Sequence, residues 1–119
     1  MEQQDSRWGL LAQWIAESQR IVFFSGAGVS TESGIPDFRG AKGFYQQDRE
    51  IPLEQVLSID FFTVKPQAYW EWFAQENARE GVAPNAAHRF MAGLERAGKL
   101  STVITQNIDG LHQRAGSER

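Results

Sequence analysis

The chain has 119 residues, enough for one modest domain, and its 41% hydrophobic and 23% charged content fits a globular protein. A formal net charge of -3 with no long basic run argues against nucleic acid or an anionic membrane as the main partner. There is no cysteine, so neither a disulfide nor a thiolate metal site can form within the chain.

The opening "MEQQDSRWGL" lacks the basic and then apolar character of a signal peptide. No apolar run approaches the roughly 20 residues that span a bilayer. A cytoplasmic protein is the expectation. "DSRWGLLAQWIAESQ" reads as a helix that Asp5 or Ser6 can cap, with Trp8, Leu11 and Ile15 at helical spacing and Leu10 and Trp14 beside them. The period then changes. Ile21, Val22, Phe23 and Phe24 form a short continuous apolar run, the pattern of a parallel strand covered on both faces. Gly26 and Gly28 end it, and Val29 to Ser33 can start a short helix.

From Gly34 to Pro52 no period is sustained, and Gly34, Pro36, Gly40 and Gly43 punctuate the stretch. A loop of that length is usually functional or mobile. "SIDFFTVKPQAYWEWFAQENARE" holds at least one helix, with Pro66 suited to a first turn, Tyr69, Trp70 and Phe73 as its apolar stripe, and Gly81 as its stop. "PNAAHRFMAGLERAGK" predicts a further helix, capped by Asn85 and closed by Gly98, with Ala87, Phe90, Met91 and Leu94 on its apolar face. "LSTVITQN" reads as a second buried strand, and "IDGLHQRAG" as the start of another helix with Asp109 near its N-cap. The sum is an α/β protein with a parallel sheet and an enlarged crossover. Both strands end in polar loops, which is where open parallel sheets bind ligands.

Gly26 and Gly28 remove side chains where a backbone must turn and approach a ligand, and the following N–H groups can face a phosphate. The dinucleotide fingerprint needs a third glycine where Thr31 stands, and the Gly-Lys-Ser/Thr of a P-loop is absent. Taken alone, the loop is either a phosphate cradle or a plain turn. Ser30 and Thr31 offer hydroxyl donors. Arg39 follows a stiff Gly-Ile-Pro and can neutralise a pyrophosphate. Asp37 can orient Arg39 or cap backbone donors, and Phe38 can cover a planar group. An ordinary surface Asp–Arg pair beside a core Phe is the plainer alternative. His88, on a helix, and His112, on a short helix, read as structural.

"GAGVSTESGIPDFRG" resembles the first signature of the sirtuin family of NAD-dependent protein lysine deacylases. "TQNIDGLHQRAG" resembles the second, and "PNAAHRFMAGLE" resembles the helix between them. The resemblance implies a Rossmann-like NAD domain with a smaller helical and zinc-binding module inserted. Residues 1–40 and 84–119 then form Rossmann-like segments, and 41–83 a loop and helical insertion. It also implies that Gly26, Ala27, Gly28, Ser30 and Thr31 hold the phosphate side of NAD. Phe38 and Arg39 lie by the nicotinamide ribose and phosphates. Gln106, Asn107, Ile108 and Asp109 form the pocket for the ribose and the carboxamide, with Asn107 and Asp109 closest to catalysis.

Acyl-lysine protein is the implied substrate, and deacylated lysine, nicotinamide and O-acyl-ADP-ribose are the implied products. Family members that remove succinyl groups share a Tyr-x-x-Arg pair on the helix matching "AYWEWFAQENARE". Here Phe73 and Glu76 stand at that spacing, so an uncharged acyl group is expected. The family's general base is a histidine in a Leu-His-Gly context, and its zinc ligands are cysteines. Neither occurs before Arg119. The chain therefore resembles the N-terminal part of a sirtuin, with no metal site of its own and an incomplete sheet prone to self-association. The alternatives are a fragment that only binds nucleotide or oligomerises, and an NAD hydrolase.

Overall fold

The computed structural model describes the backbone from residue 2 to residue 119 and the side chains from residue 6. Helix α1 spans Glu2–Glu17. It starts upstream of the expected cap, because Glu2, Gln3 and Gln4 are themselves good helix formers. Ser6 thus lies inside the helix, and the Asp5 side chain lies outside the described residues. Of the expected stripe, Trp8 and Leu11 are exposed and Ile15 is half-buried, and Leu10 and Trp14 beside it are exposed as well. The C-terminus of α1 is held by Lys99, whose Nζ donates to the carbonyls of Ile15 (3.2 Å), Ala16 (2.7 Å) and Ser18 (3.2 Å). A cation there meets the negative end of the helix dipole and satisfies carbonyls that have no partner within the helix.

Strands β1 (Ile21–Ser25) and β2 (Leu100–Thr105) pair in parallel, with Phe23 opposite Val103, Phe24 opposite Ile104 and Ser25 opposite Thr105. One face carries Phe23 and Ser25 inward. On the other, Phe24 is 65% and Ile104 50% exposed. Burial on both faces was the expectation from the continuous apolar run. Helix α5 (Ala86–Arg96) packs on β2, and α6 (Leu111–Arg114) packs on α5. No element among the described residues covers the row of Val22, Phe24 and Ile104.

After Gly26 the chain winds into a tight 3-10 helix, Ala27–Ser33, which Gly34 closes in a left-handed conformation (φ 89°). The stretch expected to lack structure contains a 3-10 turn, Phe44–Gln46, and a short helix α2, Leu53–Val56. Two further helices follow. They are α3 (Ile59–Val64), capped by the Ser58 hydroxyl, and α4 (Pro66–Asn77), with proline in its first turn. These elements share a small core of Phe44, Leu53, Val56 and Trp72. The buried face of α4 is centred on Trp72, flanked by Tyr69 and Phe73, and Trp70 is 54% exposed. The sequence reading had placed Trp70 in that stripe. Its ring instead packs at the surface against Phe62 and Tyr69.

Helix α5 opens with a reciprocal cap. Asn85 Oδ1 accepts from the Ala87 N–H, and His88 Nδ1 accepts from the Asn85 N–H. Its buried residues are His88, Ala92 and Leu94, whereas Phe90 points to solvent at 49% exposure, off the expected face. At this core position the cap engages His88 Nδ1, while Nε2 is buried without a partner. Replacing Lys99 by Met should lower the stability of the chain by about 1 kcal/mol, the usual worth of a helix-terminal cation. Urea unfolding followed by circular dichroism reads this, and an unchanged midpoint would show that α1 does not depend on the cap.

Candidate functional site

The parallel register brings two polar loops together at the C-terminal ends of the strands. The Gln106 N–H extends the ladder by donating to Ser25 O (3.1 Å). Gly26 then turns so close to the second loop that a Cβ there would lie 3.1 Å from Gln106 Oε1. Asn107 crosses between the loops, its Nδ2 donating to Gly26 O (2.9 Å) and to Ser30 Oγ (3.4 Å). Ser30, only 1% exposed, donates to Asp109 Oδ2 at 2.5 Å. The other Asp109 oxygen accepts from the Leu111 N–H (3.0 Å), which starts α6. Residues some 80 positions apart in sequence therefore hold one another.

A cavity of about 320 Å³ opens on this wall. Ser30, Gln106, Asn107 and Asp109 give it a polar side, Ile35, Phe38, Trp72 and Phe73 an apolar side, and Glu76, paired with Arg79 at 2.7 Å, also lines it. Of the residues the sequence singled out, Ala27, Ser30, Phe38, Gln106, Asn107, Ile108 and Asp109 line this space. Gly28 lines a second, larger space of about 620 Å³ with Glu32, Asn85 and Arg89. Thr31 donates to Gly28 O (3.0 Å) and is exposed. Asp37 accepts from the Gly40 N–H (3.0 Å), which is the backbone-capping alternative. Arg39 is exposed, with its guanidinium 5.6 Å from the centre of the Tyr45 ring.

Phe38 is positioned by the loop beyond it. Its carbonyl accepts from the Tyr45 N–H (2.9 Å), and the Asp37 carbonyl accepts from the Phe44 N–H (2.7 Å). Gly43 makes this approach possible, since a Cβ at that position would lie 2.7 Å from both carbonyl oxygens.

Sequence reasoning missed the layer beneath the polar wall. Ser25 is buried and donates to Thr105 Oγ1 (3.1 Å), and its oxygen lies 3.0 Å from His112 Nε2. The His88 and His112 rings meet edge to face with centres 4.8 Å apart. The available signal was a serine ending an apolar strand, which is costly when buried unless it is bonded. Burial holds both histidines below the ordinary value of 6.5. His112 and Arg89 depress His88 further, and Asp109 opposes the shift in both. Among the described residues, no group of three or more His, Asp or Glu side chains is placed to hold a metal ion, and no helix is long and apolar enough to cross a membrane.

Against known proteins, the model of the Sir2 family matches residues 26–119. A curated NAD-dependent protein deacetylase from Cutibacterium acnes is 52% identical over 111 residues, covering 92% of this chain and 46% of that protein. The NAD-dependent protein deacylase 2 of Archaeoglobus fulgidus is 48% identical over 108 residues, covering 91% of this chain and 42% of that protein. The chain thus spans about half the length of the curated relatives it matches. A solved Sir2 homolog–NAD complex superposes with a TM-score of 0.77 at 41% identity, over 93% of this chain and 43% of the other. A structure solved in work on the mechanism and regulation of Sir2 enzymes gives 0.79 at 47% identity, over 92% and 42%.

The histidine pair makes stability depend on pH. Both groups bind a proton less tightly folded than unfolded. The stability they support is therefore intact above the ordinary value of 6.5 and is lost as pH falls below it, toward the depressed folded values. Melting temperatures should fall between about pH 7.5 and about pH 5.5, the span in which histidine titrates. His112→Gln should flatten the fall, and a parent curve that is level across this range would contradict the assignment.

Proposed function

The chain belongs to the Sir2 family, and we propose that its two strand-end loops form the NAD-binding side of an NAD-dependent protein lysine deacylase that prefers acetyl-lysine. The observation that carries this reading is the cavity wall on which Ser30, Asn107 and Asp109 are hydrogen-bonded together, facing Phe38 and the aromatic side of α4. The donor set suits NAD. Carboxylate, amide and hydroxyl groups on this wall match ribose and carboxamide, and the tight turn at Gly26, with Gly28 on the neighbouring cavity, would take the pyrophosphate. The complex of a related chain with NAD supports the same assignment.

In this reading Gly26, Ala27, Gly28, Ser30 and Thr31 hold the phosphate side. Arg39 neutralises the phosphates and Asp37 shapes its loop. Gln106, Asn107 and Ile108 surround the ribose, and Asp109 binds the carboxamide. Both Asp109 oxygens are already fixed by Ser30 and by the Leu111 N–H, so the carboxylate is oriented before any ligand arrives. Phe38 shields the reactive side of the cavity from water. NAD would supply an activated bond to nicotinamide, and overall NAD, acyl-lysine and one water would give lysine, nicotinamide and O-acyl-ADP-ribose. Residues 1–40 and 84–119 form the Rossmann-like part, and 41–83 the insertion. The zinc module of the family has no ligands in this chain. A cytoplasmic location and acyl-lysine proteins as partners, rather than nucleic acid or membrane, go with this reading.

Nicotinamide release from NAD, with and without an acetylated peptide, tests the activity in the natural gene product that carries this chain. Release that ignores the peptide would favour an NAD hydrolase. Asp109→Asn and Asn107→Ala should each lower peptide-dependent release about 10²–10³-fold, as losing a group used in the transition state does. Near-normal turnover in both would remove the assignment. Glu76 lines the cavity where the desuccinylating relatives carry an arginine, and it engages the nearby Arg79 guanidinium at 2.7 Å, so that cation is not free to clamp a second carboxylate. The kcat/KM on acetyl-lysine peptide should therefore exceed that on succinyl-lysine peptide, and the reverse order would refute this preference.

The 119-residue chain alone is proposed to lack deacylase activity and to self-associate through the open face of Val22, Phe24 and Ile104. Light scattering should give a mass above 13.4 kDa, shifted toward the monomer by Phe24→Ser. A monodisperse monomer would exclude this association.

A further inference from the structure

Beneath the cavity, hydrogen bonds and the chain itself form a closed circuit in which three side chains, Ser25, Thr105 and His112, touch no part of the cavity. Ser25 Oγ donates to Thr105 Oγ1 (3.1 Å), and the same Thr105 oxygen accepts from the Asn107 N–H (3.0 Å). The Asn107 side chain reaches Gly26 O and Ser30 Oγ, Ser30 donates to Asp109, and Asp109 accepts from the Leu111 N–H. The next residue is His112, whose Nε2 lies 3.0 Å from Ser25 Oγ. With Ser25 donating to Thr105, the imidazole N–H donates to Ser25 and the circuit closes.

We propose that Ser25 and His112 are positioning residues, which set the placement of Asn107 and Asp109 by closing this ring from behind. The inference rests on the reading that Asn107 and Asp109 bind the ribose and nicotinamide end of NAD. Its physical basis is separate from that reading. Ser25 and His112 are 5% and 3% exposed. His112 Nδ1 is buried without a partner, so the contact of Nε2 with Ser25 is the hydrogen bond that orients this ring, and cutting it releases the geometry. Without the Ser25 hydroxyl, Thr105 loses a donor and His112 Nε2 loses its partner. Both losses fall at the base of the loop that carries Asn107 and Asp109. The ring of His112 is held in place by Phe23, edge-on at 6.0 Å, and by His88 at 4.8 Å, so it cannot swing to another acceptor without repacking. His88 is itself fixed by the cap it gives to Asn85, which also binds Val29 O and Ser33 Oγ on the first loop.

The test uses the full 119-residue chain with Ser25→Ala, Thr105→Val and His112→Phe. The last keeps an aromatic ring and removes its nitrogens. Ser25→Thr, which retains the hydroxyl, serves as the rescue. Two readouts distinguish positioning from stability alone. The first is the solvent-exchange rate of the Asn107 side-chain amide protons by NMR in the free chain, which should rise about tenfold when the ring is cut, the factor that goes with one net hydrogen bond. The second is the ratio of NAD to ADP-ribose affinity by calorimetry. It should fall about five- to tenfold, with ADP-ribose binding changed less than about twofold, since only NAD carries the group that Asp109 holds. Ser25→Thr should retain both parent values.

If the variants lower the melting temperature but leave both readouts at the parent values, the ring is merely structural and the proposal is overturned. Should Ser25→Ala fail to fold, the isosteric Thr105→Val cuts the adjacent link and decides the same question. If the parent chain binds neither NAD nor ADP-ribose, it is the functional reading that fails, and the Asn107 amide exchange alone then decides the positioning role.

Discussion

Two parallel strands deliver two loops to one place only if their C-terminal ends are level, and the pairing of Ser25 with Thr105 fixes that level here. A slip of one residue would turn every side chain of β1 to the opposite face. Ser25 would then point into the open row now occupied by Phe24, and its bonds to Thr105 and His112 would be lost. The Gly26 turn would no longer meet Gln106 and Asn107. The polar wall, the orientation of Asp109 and the start of α6 all follow from this one register.

The other half of the cavity has a different origin. Its apolar side comes from α4 and from the loop after Pro36, which pack around Phe44 and Trp72 rather than on the sheet. Phe38 links the two halves. Its ring meets Phe44 and Tyr45 at 5.5 Å from each, while its carbonyl is tied to the Tyr45 N–H. The close backbone approach at Gly43 thus has the same status as the one at Gly26. In each case the missing side chain lets one segment fix the position of another.

Much of this was legible in the sequence. The apolar runs, the Asn85 cap and the Gly98 stop located β1, β2 and α5, because those signals are local. The two long motifs identified the loop residues that the register brings together. What the sequence left out was set by tertiary context. The outward turn of Phe90 and the inward place of His88 go with a cap bond that hydrophobic periodicity does not weigh. Trp70 and Trp72 are equally apolar, and only the position of Phe44 and Leu53 decides which is buried. The role of Ser25 was invisible because its partners lie at Thr105 and His112, far along the chain. The open face of Val22, Phe24 and Ile104 shows the limit of reading burial from composition. An apolar run states what a strand requires, and its neighbours decide whether the requirement is met.

The sequence distance spanned by the site has a consequence for how the molecule is made. The hydrogen bonds between its two loops and their supports join partners separated by 77 to 87 residues. Closing a loop of that length costs about 4 kcal/mol of chain entropy before any contact compensates for it. By contrast, α5 and its cap close over a few residues and can form early. During synthesis the first loop emerges long before its partners exist, so the glycine turn must wait in an unfixed state until His112 has cleared the ribosome. The site is then a late product of folding, formed after the local helices and dependent on them for its alignment.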